Sequence, residues 1–309
     1  MSQKWSRLIR FISNNGKVYT GDALLVGEET NVNNARHARV IIGNPFGSYT
    51  LGKIRVVHEL LAPMTLDQVR TIRCLGLNYR THAHEAGMKE PEYPVLFYKP
   101  PTAVGGPRDH IPVPPMAQIE GTIDYEAELV AVIGRQCRYV TESQALEYVA
   151  GYTVGNDVSQ REWQIKRGGS QWNVGKMFDG WAPIGPAIVA ANLLDPVNLK
   201  ISSSVNGELR QSDSTSNMIF GVAKTISWLS QGCTLMPGDL IFFGTPAGVG
   251  MGFKPPRWLA NKDVVECSIE GIGTIRNRVH FQDAPPPEPV TLPPFSKKTS
   301  RSRKLLSKF

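Results

Sequence analysis

The chain has 309 residues, of which 41% are hydrophobic and 20% charged, and a formal net charge of +7. That length holds one large domain or two unequal ones, the composition is that of a soluble globular protein, and no apolar run approaches the roughly 18 residues of a membrane-spanning helix. The positive charge is local: Lys297, Lys298, Arg301, Arg303, Lys304 and Lys308 lie in an acid-free stretch, and without them the chain stands near +1, which excludes a nucleic-acid-binding core.

The apolar run at residues 8–12 is too short and too interrupted for a signal peptide and is read as a first strand. Lys4, Arg7 and Arg10 precede any acid, so a mitochondrial presequence stays open as the alternative. Asn14-Asn15-Gly16 is a hairpin turn signal between residues 8–12 and 18–19. Residues 54–61 form another strand closed by Pro63, and 65–69 form a short turn or helix. From about 70 to 282 many short apolar runs are cut by Gly and Pro, among them 71–77, 95–99, 128–133, 149–154, 183–190, 239–244 and 263–270. Helical spacing is clear twice. Residues 141–149 have Thr141 as N-cap, and residues 219–229 carry Ile219, Val222, Ala223, Ile226 and Leu229 on one face. The expected fold is α+β and β-dominated, a mixed β-roll at 66–282. It follows a small strand-rich unit at 1–65 and precedes a Pro-rich, basic, disordered tail at 283–309. Cys74, Cys137, Cys233 and Cys267 are far apart with no CxxC pair, which reads as reduced, buried thiols of an intracellular protein.

Asp124-Tyr125-Glu126-Ala127-Glu128-Leu129 leads into the apolar run Val130-Ala131-Val132-Ile133. In a strand with period two, Asp124, Glu126 and Glu128 project to one face. Three like charges there repel and cost desolvation energy unless a cation joins them. With no His or Cys nearby, a hard ion such as Mg²⁺, Mn²⁺ or Ca²⁺ suits the oxygens. A solvated edge strand is the alternative. Asp157, closing Gly151-Tyr152-Thr153-Val154-Gly155-Asn156, offers a further carboxylate, and Arg161 and Gln164 follow it at helical spacing. Gly175-Lys176, the Gly-rich run from Gly244-Thr245-Pro246 to Gly250, and an HxxE pair, His82 and Glu85, complete the polar segments.

These segments in this order, with Val205-Asn206-Gly207-Glu208, Pro237-Gly238-Asp239 and Asp263-Val264-Val265, resemble the fumarylacetoacetate hydrolase superfamily over roughly residues 70–280. Gln171-Trp172 and Lys254-Pro255-Pro256 resemble most its eukaryotic domain-containing proteins of the oxaloacetate tautomerase branch. The resemblance implies that Glu126, Glu128 and Asp157 bind Mg²⁺ or a similar ion, with Asp124 behind them. It implies that His82 and Glu85 form an acid–base dyad on a lid, with His84 the rival histidine. Lys176, Arg161 and Gln164 would face a developing enolate, Thr245 would hold a substrate carboxylate, and Lys99 would line the same pocket. Leu77 stands where decarboxylase-type members carry a basic residue, which weighs against decarboxylation.

The implied function is a metal-dependent enzyme acting through the enolate of a small 2-oxo or β-diketo acid. Oxaloacetate enol–keto tautomerisation comes first. C–C hydrolysis of acylpyruvates or oxaloacetate decarboxylation is the alternative, and a catalytically silent binding protein the third reading. The family implies a homodimer. The end Leu306-Ser307-Lys308-Phe309 is close to a peroxisomal import-receptor address, so peroxisome or cytoplasm is expected, with the mitochondrion kept open.

Overall fold

The structure, a computed structural model, describes residues 5–283. Lys4, all but the first residue of the expected tail, and the Ser307-Lys308-Phe309 address lie outside the described residues. The Asn14-Asn15-Gly16 turn joins Arg7–Ile12 to Val18–Leu24, with Gly16 at φ 73°, where glycine is favoured.

The first 65 residues supply one flank of a 12-stranded sheet, in which Glu59–Leu61 pairs with Arg7–Ile12 and Val104–Gly105 with Ala182–Ala190 beside a path of ten strands. From the outer edge the order is Tyr49–Val56, His37–Gly43, Val18–Leu24, Arg7–Ile12, Ala182–Ala190, Val149–Asn156, Ala127–Ile133, Leu240–Phe242, Ile72–Gly76 and Val95–Lys99. Arg7–Ile12 pairs antiparallel with Ala182–Ala190, so hydrogen bonding runs unbroken from the N-terminal hairpins into the centre. Leu240–Phe242 beside Ile72–Gly76 is a parallel pair within a mostly antiparallel sheet, which makes the sheet mixed. A second, five-stranded sheet runs Glu208–Ser214, Lys200–Val205, Val264–Ile269, Gly273–Phe281 and Ile111–Val113.

Every residue of Ala127–Ile133 is buried, because both faces of this strand are covered. Leu129, Ala131 and Ile133 share a core with Ile201, Val265, Ile269 and Ile275 of the second sheet. Val130 and Val132 pack on the opposite side with Leu8, Ile72, Phe97 and Phe242. A strand buried on both faces has no polar alternation, which is why its sequence reads as a continuous apolar run.

Of the two expected helices one is shorter than its sequence periodicity and the other is shifted along the chain. Residues 141–149 give an α-turn at Glu142–Ala145 and a 3₁₀ turn at Leu146–Tyr148, since Val149 already begins a central strand. The second helix starts at Val222, not Ile219, and runs to Gly232. Asn78 takes the backbone groups its earlier start would need. The Asn78 carbonyl accepts from Ile219 N–H at 2.8 Å, and its side chain accepts from Phe220 N–H at 2.8 Å and donates to Phe220 O at 3.0 Å. Cys74, Cys137 and Cys267 are buried and free as expected, but Cys233 follows the helix directly and is exposed.

Candidate active site

The central strands carry their charges to one end of the large sheet. Ala127–Ile133 and Val149–Asn156 pair with Ala127 opposite Asn156, so Glu126, Glu128 and Asp157 meet where the two strands part. Their carboxylate oxygens lie within 4.8 Å of one another, and all three residues are buried.

Asp124 does not join them. The strand breaks at Tyr125, because Glu126 N–H binds the Asn156 side chain (3.1 Å) and Ala127 N–H binds the Gln211 side chain (3.0 Å) rather than continuing the ladder. Asp124 sits instead in a two-residue pairing with Ser159-Gln160. There it accepts from Arg161 Nε at 2.9 Å and from Gly250 N–H at 2.6 Å. It anchors the arginine beside the carboxylate cluster.

Three buried cations face the four buried acids, although the sequence placed no cation beside the triad. Arg161 Nη1 meets Glu126 Oε1 at 2.7 Å and donates to Gln164 Oε1 at 2.9 Å, so Arg161 and Gln164 do come together, across the entry of a π-helix at Glu162–Arg167. Lys176 Nζ bridges Glu126 Oε2 (2.9 Å) and Asp157 Oδ2 (2.7 Å). Lys99 Nζ reaches Asp157 Oδ1 at 2.7 Å and donates to the carbonyls of Val158, Lys176 and Trp181. It lies beneath the acids, and unlike Lys176 it is not among the residues lining the adjoining cavity.

The charges sort accordingly. Burial pushes the Glu126 carboxyl up, but Lys176 and Arg161 outweigh it and hold that carboxyl below the usual range. Burial pushes Lys176 down, and the Asp157 and Glu126 charges more than restore it. Burial pushes Lys99 below its ordinary value despite Asp157. Glu128 is the exception. Burial first, then Asp157 and Glu126, raise its carboxyl well above the ordinary value. Its Oε2 accepts from Gly244 N–H at 2.7 Å, while its buried Oε1 has no hydrogen-bond partner. An orphaned oxygen in an all-oxygen, net-negative cluster fits a hard divalent ion.

Above this floor is a cavity of about 300 Å³, lined among others by His82, Glu126, Arg161, Gln164, Lys176 and Thr245. The Thr245 hydroxyl donates to Ala127 O at 2.9 Å and accepts from Gln211 Nε2 at 2.7 Å. His82 sits on a short helix, Arg80–Glu85, that stops before Gly87 at φ 67°. Its Nδ1 lies 3.2 Å from Glu85 Oε2, and Glu85 Oε1 accepts from Gly248 N–H at 2.9 Å. His84 is exposed and does not line the cavity. Asn78, Asn156 and Gln211 have no role legible in the sequence. Each is a buried amide joining segments distant in the chain, and only the folded topology brings their partners together.

Residues 71–280 match the family model described as fumarylacetoacetate hydrolase, C-terminal. The chain is 49% identical over 218 residues to "Fumarylacetoacetate hydrolase domain-containing protein 2 homolog" of Dictyostelium discoideum, covering 67% of this chain and 70% of that one. It is 43% identical over 220 residues to human "Oxaloacetate tautomerase FAHD2A, mitochondrial", covering 71% and 68%. Among solved structures it is similar to a 2-hydroxyhepta-2,4-diene-1,7-dioate isomerase from Mycobacterium marinum, with TM-score 0.75 and 37% identity over 90% of this chain and 99% of that one.

Proposed function

From the premise that the chain is an enzyme of the fumarylacetoacetate hydrolase family, we propose that it interconverts the enol and keto forms of oxaloacetate with Mg²⁺ held by Glu126, Glu128 and Asp157. The observation that carries this reading is the buried, unpartnered Glu128 Oε1 within a carboxylate triad whose Glu126 lines a cavity shared with His82 and Lys176. Such an ion, when bound, is a Lewis acid that lowers the cost of enolate charge.

The protein's own groups account for the rest. Ketonisation removes the proton of the C2 hydroxyl and delivers one to C3, with no other change in composition. His82 is the proposed proton carrier, and Glu85, itself fixed by Gly248 N–H, orients the imidazole. Lys176 and Arg161 supply fixed positive charge beside developing enolate oxygen. Gln164 orients Arg161, and Thr245 is the proposed contact for a substrate carboxylate. Lys99 is assigned to holding Asp157 and the Lys176 backbone.

Following enol-oxaloacetate, oxaloacetate, acetylpyruvate and fumarylpyruvate by ultraviolet absorbance with Mg²⁺ tests the proposal. Rapid loss of the enol band without carbon–carbon cleavage is the expected result. Cleavage of the acylpyruvates alone would favour the hydrolase reading, which the apolar mouth of the cavity supports because it leaves room beyond a four-carbon acid.

Lys99→Met separates support from substrate contact. It leaves Asp157 Oδ1 and three carbonyls without their donor, so the folded state is expected to lose about 3–5 kcal/mol, the range for breaking a buried pair, read by denaturant unfolding. A variant of wild-type stability with a raised KM would return Lys99 to the substrate.

A homodimer and a mitochondrial location belong to the same proposal. Exposed Ile42, Leu51, Ile54 and Val56 on the two outermost strands support the first. The compartment named for the mammalian relatives supports the second. Mitochondrial fluorescence of the full chain tagged at its C-terminus is expected. A peroxisomal signal that appears only when that terminus is free would favour the Ser307-Lys308-Phe309 address instead.

A further inference from the structure

The cavity changes character from floor to mouth. At the floor His82, Glu126, Arg161 and Lys176 are all at most 7% exposed. At the mouth stand Met88, 53% exposed, and Ile165, 48% exposed. Met88 follows the His82 helix and Ile165 belongs to the π-helix after Arg161, so the two come from different segments. Between floor and mouth the wall is apolar. The Lys176 ammonium lies 5.0 Å from the Phe97 ring centroid, and Phe97 meets Trp172 edge-on at 5.7 Å. Trp172 is seated so closely on the strand that a Cβ at Gly76 would come within 2.1 Å of its ring. Leu77 lines the same cavity at φ 49°, a left-handed conformation that costs a leucine energy. Such strain persists where the surrounding structure and a function hold it.

No spare cation lines this wall among the described residues. The two cationic side chains that border the cavity are engaged by Asp124, Glu126 and Asp157. A four-carbon diacid keeps both carboxylates near the floor. A longer chain reaches the mouth, where a second carboxylate meets no cationic side chain and a hydrocarbon meets Leu77, Phe97, Trp172, Met88 and Ile165. Apolar side chains exposed together at a cavity entrance mark ligand contact.

We infer that the site also takes 2-oxo or enol acids whose far end is an uncharged hydrocarbon group, with Leu77, Met88, Ile165 and Trp172 setting that preference. The inference deepens the proposed function and rests on its placement of the chelating head at the triad.

The test is inhibition of the Mg²⁺-loaded enzyme by the straight-chain series from pyruvate to 2-oxooctanoate, with 2-oxohexanedioate as the charged comparator and oxalate as the control for the head group. Affinity is expected to rise about twofold to fourfold per added methylene, up to the value for full burial, and 2-oxohexanedioate to bind more weakly than 2-oxohexanoate. The double substitution Met88→Ser, Ile165→Ser is expected to flatten the series. A flat wild-type series with oxalate still inhibiting overturns this inference alone. Failure of oxalate to bind overturns it together with the function it rests on. A slope unchanged in the double variant overturns the assignment to these side chains.

Discussion

Glu128→Gln is expected to abolish turnover and, without divalent ion, to make the protein harder to unfold. The two effects share one cause. Glu128 is fully buried, its Oε2 is held by Gly244 N–H, its Oε1 has no donor, and carboxylate oxygens of Glu126 and Asp157 lie within 4.8 Å. Gln keeps the acceptor for Gly244, removes a charge from a net-negative cluster and adds an N–H beside Glu126 and Asp157. In the metal-free wild type the folded state raises the Glu128 carboxyl above its unfolded value. Stability from this group is therefore full below the unfolded value of about 4.5 and is lost as pH rises toward the folded value. Thermal scans of the chelator-treated protein should show that decline, and Glu128→Gln should remove it. Added Mg²⁺ should raise the melting temperature of the wild type, by linkage worth about 2.7 kcal/mol at a hundredfold excess over Kd, and leave the variant unmoved. Turnover should fall by at least roughly 10²–10³-fold, the scale of losing one charge-stabilising group. A variant as active as wild type in chelator would dismiss the triad as a metal site.

His82→Ala should cut kcat by roughly 10²–10⁴-fold, the range for a general acid or base. Mg²⁺ and oxalate affinity should hardly change, since neither needs the imidazole. The helix that carries His82 is one and a half turns long and is pinned by a few polar contacts: Thr81 Oγ1 to Asp213 at 2.7 Å, Arg80 to Met218 O at 3.0 Å, and Glu85 to Gly248 N–H at 2.9 Å. Glu85→Gln weakens the orientation without removing the proton carrier, so a smaller loss of kcat is expected. Single-turnover kinetics paired with calorimetry separates these effects. If His82→Ala lost oxalate binding while exposed His84→Ala lost turnover, the roles of the two histidines would be reversed.

The strand period brought Glu126 and Glu128 together on paper, and the coordinates agree. It failed at Asp124, because a strand break is made by partners elsewhere, here Asn156 and Gln211, that no local pattern announces. The β-dominated class was legible from many short apolar runs. The helix start at Val222 was not, since it depends on Asn78 more than 140 residues away. The triad's cations were equally hidden: Lys99 and Lys176 reach Asp157 from segments 58 and 19 residues distant, and a lone lysine in sequence is a surface residue by default. The family resemblance alone puts Lys99 in the pocket, with no local pattern to say how deep it lies. The topology places it one layer deeper, where the strand Val95–Lys99 ends against Asp157.

The run from Gly244 to Met251 holds three acids by main-chain amides alone: Gly244 N–H binds Glu128, Gly248 N–H binds Glu85, and Gly250 and Met251 N–H bind Asp124. Main-chain donors survive most changes of side chain. Only positions where a Cβ has no room are fixed, such as Gly248, where it would sit 2.0 Å from Arg210 O, and Gly252, where it would meet Glu85 at 2.3 Å. The side chain of Met251, which borders the cavity, is thereby decoupled from the scaffold that positions the acids, whereas the Thr245 hydroxyl is tied to it through Ala127 O and Gln211. A lineage can retune what the pocket accepts through Met251 while its proton-transfer and cation-holding geometry is inherited intact.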